Sequence, residues 1–368
     1  MFKKHKILKL VSLFFLSVIV IIITFGFWLS SLIPTRDASI RSTSRENLPY
    51  LSEHVVPKRG KILAVVTSTE FMGTSKKSTG YELSELARAY YTFQANGFEV
   101  DISSPKGGKP PVVIDDEDMG VYDFAFLNDR DAQYKTNHTI KIEDVISEDY
   151  EAVFFVGGKG AMFDFPDNKA IQTIVKTYYE SDKVIGAVCH GPAALVHVTL
   201  DNGRPLLENK TISGFTNKEE LLLIPDAKSI FPFLLQDKIQ EQGAHFNEGI
   251  MYLETISQDK NLITGQNPWS TWQISESIIK QLGYTPKYRI KTDEENAVQV
   301  LSVFKTKGKE EAKQMIAKMI MNDKKPINRE LIAKHGIIAA MKREVEELIN
   351  LIELVAYTKD YELKSHEI

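Results

Sequence analysis

The chain of 368 residues is longer than a typical single domain, so one large domain with appended segments is expected. Its 45 Lys and Arg residues against 49 Asp and Glu residues give a net charge of −4, which argues against a nucleic-acid-binding surface. A single cysteine excludes an internal disulfide and a thiolate-rich zinc site.

The N-terminus carries a strong targeting signal. Lysines before residue 10 precede an uncharged, mostly apolar stretch over residues 10–33, with Trp28 near its far end. This stretch exceeds the about 7–15 apolar residues of a signal peptide and reaches the about 20 needed to span a bilayer. We therefore predict that residues 1–34 form a cytoplasmic stub and a transmembrane signal anchor, with a cytoplasmic N-terminus and an extracytoplasmic main domain. Cleavage as a signal peptide, which gives a secreted or periplasmic protein, is the alternative.

Residues 35–60 are polar and aperiodic, and we predict a stalk or linker there. Beyond it, short apolar runs alternate with helical patterns as far as residue 285. The predicted strands are residues 62–67, 98–102, 152–156, 184–188, 211–215, 251–256 and 262–265. The predicted helices are residues 82–96, 168–180, 231–242 and 266–283. This alternation predicts a doubly wound, mostly parallel α/β sheet over residues 61–285.

Two other segments differ from this pattern. Residues 115–149 combine acidic patches with a short apolar run, which predicts a surface insertion with some helix or a short strand. Residues 286–368 contain no strand-like run, and helical patterns cover residues 297–304, 309–321 and 328–357. We predict an α-helical C-terminal extension that docks on the core or on a protein partner.

The only cysteine, Cys189, ends the apolar run 184–188 and is followed by His190, Gly191 and Pro192. Proline fits the first turn of a helix, so Cys189 is predicted to lie on a tight strand-to-helix turn. Free N–H groups and the positive end of a helix dipole lower the pKa of a thiol there, which predicts an exposed, activated nucleophile. A small buried side chain without chemistry is the alternative.

Thiol chemistry also needs a proton carrier and hydrogen-bond donors for a developing oxyanion. His190 directly follows the thiol, and its backbone N–H is a natural oxyanion donor. Gly157 and Gly158 follow a neighbouring predicted strand and can present a second N–H, because glycine lets the backbone approach closely. A tight strand–helix turn with no catalytic role is the alternative for this glycine pair.

Four motifs together carry a family resemblance: residues 187–192 (AVCHGP), 156–164 (VGGKGAMFD), 104–108 (SPKGG) and 264–268 (TGQNP). With them, residues 61–284 resemble the ThiJ/PfpI family. The match is best to its heat-shock chaperone and glyoxalase III branch, which is related to class I glutamine amidotransferases. The resemblance implies a flavodoxin-like α/β fold with Cys189 on a nucleophile elbow.

The same resemblance implies the catalytic residues Cys189, His190, Glu85 and Glu220. Glu85 matches the family's glutamate near the sulfur, with Glu82 as the competing choice, and Glu220 matches the acid that orients His190. A surface acidic pair without chemistry is the alternative for Glu220.

Lys159 stands where many members of the family have histidine. It can add positive potential at the thiolate and is a candidate substrate-binding residue for anionic or carbonyl compounds.

The function implied by the resemblance is that of a cofactor-independent glyoxalase III. Such an enzyme converts methylglyoxal and water into lactate through a hemithioacetal on Cys189, with Glu85 or His190 moving a proton. Neither a metal nor a cofactor is expected, and a homodimer is common in this family. The alternatives are a holdase chaperone or redox-sensing stress protein, and a thiol amidase, peptidase or protein deglycase.

Overall fold

The computed structural model describes residues 26–35, 37–115 and 119–366, together with Leu16 and Thr24. The chain divides into two compact units. The α/β unit spans Ala38–Ile290, and the helical unit comprises Lys291–Ile368 with the described part of Met1–Asp37.

The α/β unit is built on a seven-stranded sheet. In chain order, the strands of this unit are β1 Gly60–Val65, β2 Tyr81–Glu82, β3 Phe98–Ser104, β4 Val112–Val113, β5 Ile140–Lys141, β6 Ala152–Phe155, β7 Val184–Val188, β8 Thr211–Ile212, β9 His245–Phe246, β10 Ile256–Asp259 and β11 Leu262–Gly265. The main sheet has the order β10-β11-β7-β6-β1-β3-β5, and β10 alone pairs antiparallel with its neighbour. The predicted mostly parallel α/β sheet is therefore confirmed, with the flavodoxin-like order for its five central strands β3-β1-β6-β7-β11.

The helices of this unit connect the strands and cover the sheet. They are α1 Pro49–Ser52, α2 Leu83–Ala95, α3 Val121–Asn128, α4 Arg130–Asn137, α5 Ala161–Asp164, α6 Lys169–Glu180, α7 Asn217–Leu223, α8 Ala227–Ile230, α9 Leu235–Glu241 and α10 Thr271–Gln281. Strands β6 and β7 are buried along their whole length, as expected for the centre of a parallel sheet. Helix α2 packs against β3 and α10, which places its first turn beside the carboxyl ends of the central strands.

Two parts of this unit differ from the prediction. The segment 115–149 is not a surface insertion, because α3 contributes Phe124 and Phe126 to the hydrophobic core and β5 extends the sheet. The predicted strand 251–256 is mostly a turn, and β10 begins only at Ile256. Tyr252 adopts a left-handed φ of 54°, and its N–H donates to the buried carboxylate of Glu219 at 2.7 Å, which holds this segment out of the sheet.

The helical unit contains α11 Asp293–Lys307, α12 Lys309–Ala317, α13 Arg329–Met341 and α14 Val345–His366. A capping box begins α11, where Thr292 Oγ1 accepts from the Glu295 N–H at 3.2 Å and the Glu295 carboxylate accepts from the Thr292 N–H at 2.9 Å. The long helical pattern over 328–357 is two helices, because the chain reverses at Arg343, where φ is 61°.

The expectation of a membrane anchor is corrected by the structure. Among the residues that the structure describes, no helix combines the length and apolar composition needed to cross a membrane. On this finding the predicted N-terminal transmembrane helix, the membrane as a partner and the single-pass location are wrong. Most of residues 10–33 lie outside the described part of the chain.

Candidate active site

Cys189 lies on the sharp turn that follows β7, at the carboxyl edge of the sheet. Its φ of 58° is left-handed, a conformation that costs a residue with a side chain about 1–3 kcal/mol. Two backbone hydrogen bonds of 2.9 Å hold it there, from the Cys189 N–H to the Gly265 carbonyl and from the Phe215 N–H to the Cys189 carbonyl. Gly191 keeps the turn tight, because a Cβ there would lie 2.3 Å from the Phe155 carbonyl oxygen. The turn thus resembles a nucleophile elbow, although the segment after it, Gly191–Leu195, is a short 3₁₀ helix.

The thiol of Cys189 lies beside two titratable side chains. His190 Nδ1 lies 3.3 Å from Sγ, although the two residues are neighbours in sequence. The carboxyl group of Glu85, in the first turn of α2, lies next to Cys189 across Gly157. The sulfur atom therefore has both a potential base and a potential acid beside it.

Gly157 holds Glu85 in this position. Its backbone N–H donates to Glu85 Oε2 at 2.7 Å, and Glu85 itself is fully buried. A Cβ on Gly157 would lie 2.7 Å from that oxygen and 2.8 Å from Cys189 Cβ, so only glycine fits between the two side chains.

The backbone N–H groups that are candidate oxyanion donors differ in their hydrogen-bond partners. The Gly157 N–H is engaged by Glu85, whereas the N–H groups of Gly158 and His190 donate no hydrogen bond to any described residue. Both of these N–H groups belong to residues that line the same cleft as Cys189. Their use as oxyanion donors stays a prediction.

Glu220, in the first turn of α7, contacts the far side of the His190 ring. Its Oε2 lies 2.6 Å from His190 Nε2, and the ring packs against Phe215 with centroids 4.6 Å apart. An ionised carboxylate can only accept a hydrogen bond, so we assign a proton to Nε2 of His190. In the neutral form of this ring, Nδ1 carries a lone pair that faces the thiol.

Burial governs the electrostatics of these groups. Burial, reinforced by the charge of Glu82, raises the pKa of the Glu85 carboxyl well above its usual range. Burial and the Glu85 charge likewise raise the pKa of the Cys189 thiol well above its ordinary value, so the predicted lowering of that pKa is wrong. Because two touching buried groups cannot both carry negative charge, Glu85 and Cys189 retain at least one proton at neutral pH.

The pKa of Glu220 shifts in the opposite direction. Burial by itself raises the pKa of Glu220, but the charge and hydrogen bond of His190 outweigh burial and hold the pKa below its ordinary value. Glu220 is therefore an ionised partner for His190 at neutral pH, whereas the raised pKa of Glu85 favours its protonated form.

Glu219, next to Glu220, is a structural residue that the sequence reasoning missed. It is fully buried, and its Oε1 accepts from the Tyr252 N–H at 2.7 Å, from Gln266 Nε2 at 3.0 Å and from Asn267 Nδ2 at 3.1 Å. Its Oε2 completes the capping box of α7 by accepting from the Thr216 N–H at 3.0 Å. Glu219 thereby ties the helix that carries Glu220 to the motif at residues 264–268.

Replacing Glu219 with leucine is expected to lower the free energy of unfolding by about 3 kcal/mol, because several buried donors lose their charged acceptor together. Urea denaturation followed by tryptophan fluorescence measures the change. Glu208→Leu, at an exposed ion pair with Arg204, is the control and should leave the free energy of unfolding nearly unchanged. A Glu219→Leu protein as stable as the wild type would contradict this role.

Cys189 opens into a cleft of about 480 Å³. Besides the residues above, its lining includes Glu82, Arg88, Lys159 and Trp269. Arg88 makes a buried ion pair with Asp123 at 3.0 Å and lies over the ring of Trp269, with its guanidinium carbon 5.0 Å from the centroid. The structure thus brings Glu82 and Lys159 into the same cleft as the thiol.

Glu82 differs from a surface carboxylate. Burial raises its pKa to about 7, against a partial lowering by Lys159. A carboxyl whose folded-state pKa is raised binds more protons in the folded state than in the unfolded state, so stability falls as pH rises through this window. As pH rises from about 4.5 to about 7, we expect the free energy of unfolding of Glu82→Gln to increase relative to that of the wild type. Below and above this range, the difference between the two proteins should not change with pH. Urea denaturation at several pH values tests this, and a pH-independent difference would contradict it.

Among the described residues, no group of three or more His, Cys, Asp or Glu side chains is placed to hold a metal ion.

Comparison with known proteins identifies similar chains. A profile of the DJ-1/PfpI family matches residues 77–281. The chain is 31% identical over 236 residues to the glutathione-independent glyoxalase HSP31 of Saccharomyces cerevisiae, covering 62% of this chain and 99% of that protein.

Two solved structures are also similar. Rapid Encystment Protein 24 KDa of Francisella tularensis has a TM-score of 0.58 at 34% identity, over 61% of this chain and 99% of that one. Glyoxalase III of Candida albicans has a TM-score of 0.55 at 26% identity, over 60% of this chain and 97% of that one.

Proposed function

The chain belongs to the DJ-1/PfpI family, and from this premise we propose that it is a glutathione-independent glyoxalase that converts methylglyoxal and water into lactate. One observation carries the proposal: a buried thiol, Cys189, lies 3.3 Å from the Nδ1 of His190 and beside the carboxyl group of Glu85, whose raised pKa favours its protonated form. These are the three groups that an internal oxidation and reduction of a 2-oxoaldehyde requires, namely a nucleophile, a base and an acid.

In the first step, Cys189 Sγ bonds to the aldehyde carbon while His190 Nδ1 takes the thiol proton. The negative charge that forms on the aldehyde oxygen accepts hydrogen bonds from the free N–H groups of Gly158 and His190. Glu220, held ionised, stabilises the imidazolium that forms. Return of the proton to the aldehyde oxygen gives a neutral hemithioacetal, so the net change is addition of S–H across the C=O bond.

In the second step, the hydrogen on C1 moves to C2 through an enediol. Glu85 donates its proton to the C2 oxygen while His190 removes the proton from C1. The resulting Glu85 carboxylate then accepts the C1 hydroxyl proton as the imidazolium returns a proton to C2. Carbon C1 is thereby oxidised to a thioester, C2 is reduced to an alcohol, and both side chains recover their starting protonation states.

In the last step, water attacks the thioester carbon and His190 accepts its proton. The C–S bond breaks, Cys189 regains a proton, and lactate leaves the cleft. Glu85 must carry a proton at the start of the second step, and its raised pKa supports this assignment.

A titration with glutathione tests the proposal on the purified full chain. Glutathione converts free methylglyoxal into a hemithioacetal in solution, so an enzyme that uses free methylglyoxal should form lactate more slowly as glutathione is added. The highest rate is therefore expected with no glutathione present. A rate that rises with glutathione, or no lactate in any mixture, would contradict the proposal.

A further inference from the structure

The cleft around Cys189 is larger than the substrate of the proposed reaction needs. Its volume of about 480 Å³ falls within the range of about 300–1,000 Å³ typical of sites for drug-sized ligands. Methylglyoxal has only five non-hydrogen atoms and reacts at one end of this space. Most of the lining would therefore contact nothing on a three-carbon substrate.

The rest of the lining combines apolar side chains with polar side chains that are available for hydrogen bonding. Five of the polar side chains there make no hydrogen bond through their side chains to any residue in the described ranges: Ser78, Thr79, Glu82, Ser84 and Lys159. Thr79 is only 5% exposed and Ser84 only 6% exposed, and both line the cleft. A hydroxyl group in this wall can donate a hydrogen bond to a ligand in the cleft and can accept one from it.

The charges of the cleft disfavour an anionic ligand. Glu82 and Asp115 contribute carboxyl groups to the lining, while the positive charge of Arg88 is engaged by Asp123 at 3.0 Å. Lys159 is the remaining positive group among the described lining residues. A neutral chain that can both donate and accept hydrogen bonds fits these groups better than a phosphate or carboxylate does.

We propose that this cleft takes 2-oxoaldehydes that carry a hydroxylated carbon chain, with Glu82, Ser84 and Lys159 binding the hydroxyl groups while the aldehyde reacts at Cys189. This inference rests on the proposed glyoxalase function and specifies its substrate class. The aromatic face of Trp269, which also lines the cleft, provides an apolar wall for the C–H groups of such a chain.

A comparison of two substrates tests the inference. The probes are methylglyoxal and 3-deoxyglucosone, a six-carbon 2-oxoaldehyde with a hydroxylated chain. For the wild type we expect kcat/KM to be at least tenfold higher for 3-deoxyglucosone, and we expect Glu82→Leu to lower the ratio of the two values at least tenfold. The exposed Glu143→Leu, outside the cleft, is the matched control and should leave the ratio unchanged. Turnover of methylglyoxal with no preference for 3-deoxyglucosone, or a ratio unaffected by Glu82→Leu, would overturn the inference and leave the proposed function standing.

If neither substrate is turned over, the proposed glyoxalase function is contradicted. A binding measurement then tests the inference about the cleft separately. Cys189→Ala removes the reactive thiol, and quenching of tryptophan fluorescence reports on the cleft through Trp269. The six-carbon hydroxy acid expected from 3-deoxyglucosone should bind at least tenfold more tightly than lactate, and Glu82→Leu in the same background should abolish the difference. Equal affinities for the two acids would overturn the inference.

Discussion

Replacing Cys189 with alanine is expected to lower kcat/KM for methylglyoxal by at least about 10⁴-fold, because the step that joins substrate to enzyme is lost. Lactate formation by the purified full chain measures this effect. The fold should be intact, since alanine removes only a sulfur atom from a buried position that is 5% exposed.

Cys189→Ser is the matched variant, because it preserves the size of the side chain and replaces the sulfur with a far weaker nucleophile. It should be nearly as inactive as the alanine variant. Substantial lactate formation by either variant would remove Cys189 from the mechanism, and circular dichroism of both proteins excludes unfolding as the cause of lost activity.

Replacing Glu85 with glutamine is expected to lower kcat for methylglyoxal by about 10²–10⁴-fold, the range for loss of a general acid–base group. The amide oxygen of glutamine can still accept the hydrogen bond that the Gly157 N–H donates at 2.7 Å, so the site should keep its shape. The amide cannot give a proton to the substrate, and the enediol step should stop.

The pH profile distinguishes this role from a structural one. Burial raises the pKa of Glu85 well above its usual range, so the wild-type rate should fall as pH rises through that pKa and the carboxyl loses its proton. The residual rate of Glu85→Gln should lack this descending limb. Alkylation of Cys189 by iodoacetamide should proceed in both proteins, and an unreactive thiol in the variant would indicate a collapsed site instead.

Much of the architecture follows from local sequence patterns. The buried apolar runs that become β6 and β7 have the uniform hydrophobicity of central parallel strands, and the turn after β7 is evident from Cys189, Gly191 and Pro192. The four motifs follow β3, β6, β7 and β11, and residues from three of them line the cleft at Cys189.

The electrostatics of the site could not be predicted from those motifs. A strand-to-helix turn suggests a thiol with a lowered pKa, but the helix after Cys189 is only the short 3₁₀ segment Gly191–Leu195. Side chains from distant stretches of the chain, Glu85 among them, bury the sulfur. As a result, the pKa of the Cys189 thiol is raised and not lowered. Burial by residues that are distant in sequence has no local signature.

Glu219 and the segment around Tyr252 show the same limit of prediction from local sequence. A pair of adjacent glutamates in an amphipathic helix is most often solvated, yet both Glu219 and Glu220 are buried here. Likewise, the apolar run at 251–256 has the composition of a strand, but the hydrogen bond from Tyr252 to Glu219 makes it a turn. Tertiary hydrogen bonds override local propensity at these positions.

The N-terminal expectation failed for a different reason. The apolar stretch over residues 10–33, with lysines before it and Trp28 near its far end, predicted a transmembrane helix. Such a pattern does not consider what else an apolar segment can pack against. In the helical unit, Lys359 donates to the carbonyl of Ser31 at 2.8 Å, so the end of that stretch has protein partners.

The most direct test of the central claim is a proton NMR time course of the full chain with methylglyoxal, in buffer free of glutathione and other thiols. We predict that one molecule of lactate appears for each molecule of methylglyoxal consumed, over many turnovers, and that Cys189→Ala forms none above the enzyme-free rate. Loss of methylglyoxal without lactate, or lactate formation that stops after one equivalent per thiol, would contradict the claim that Cys189 performs catalysis in this cleft.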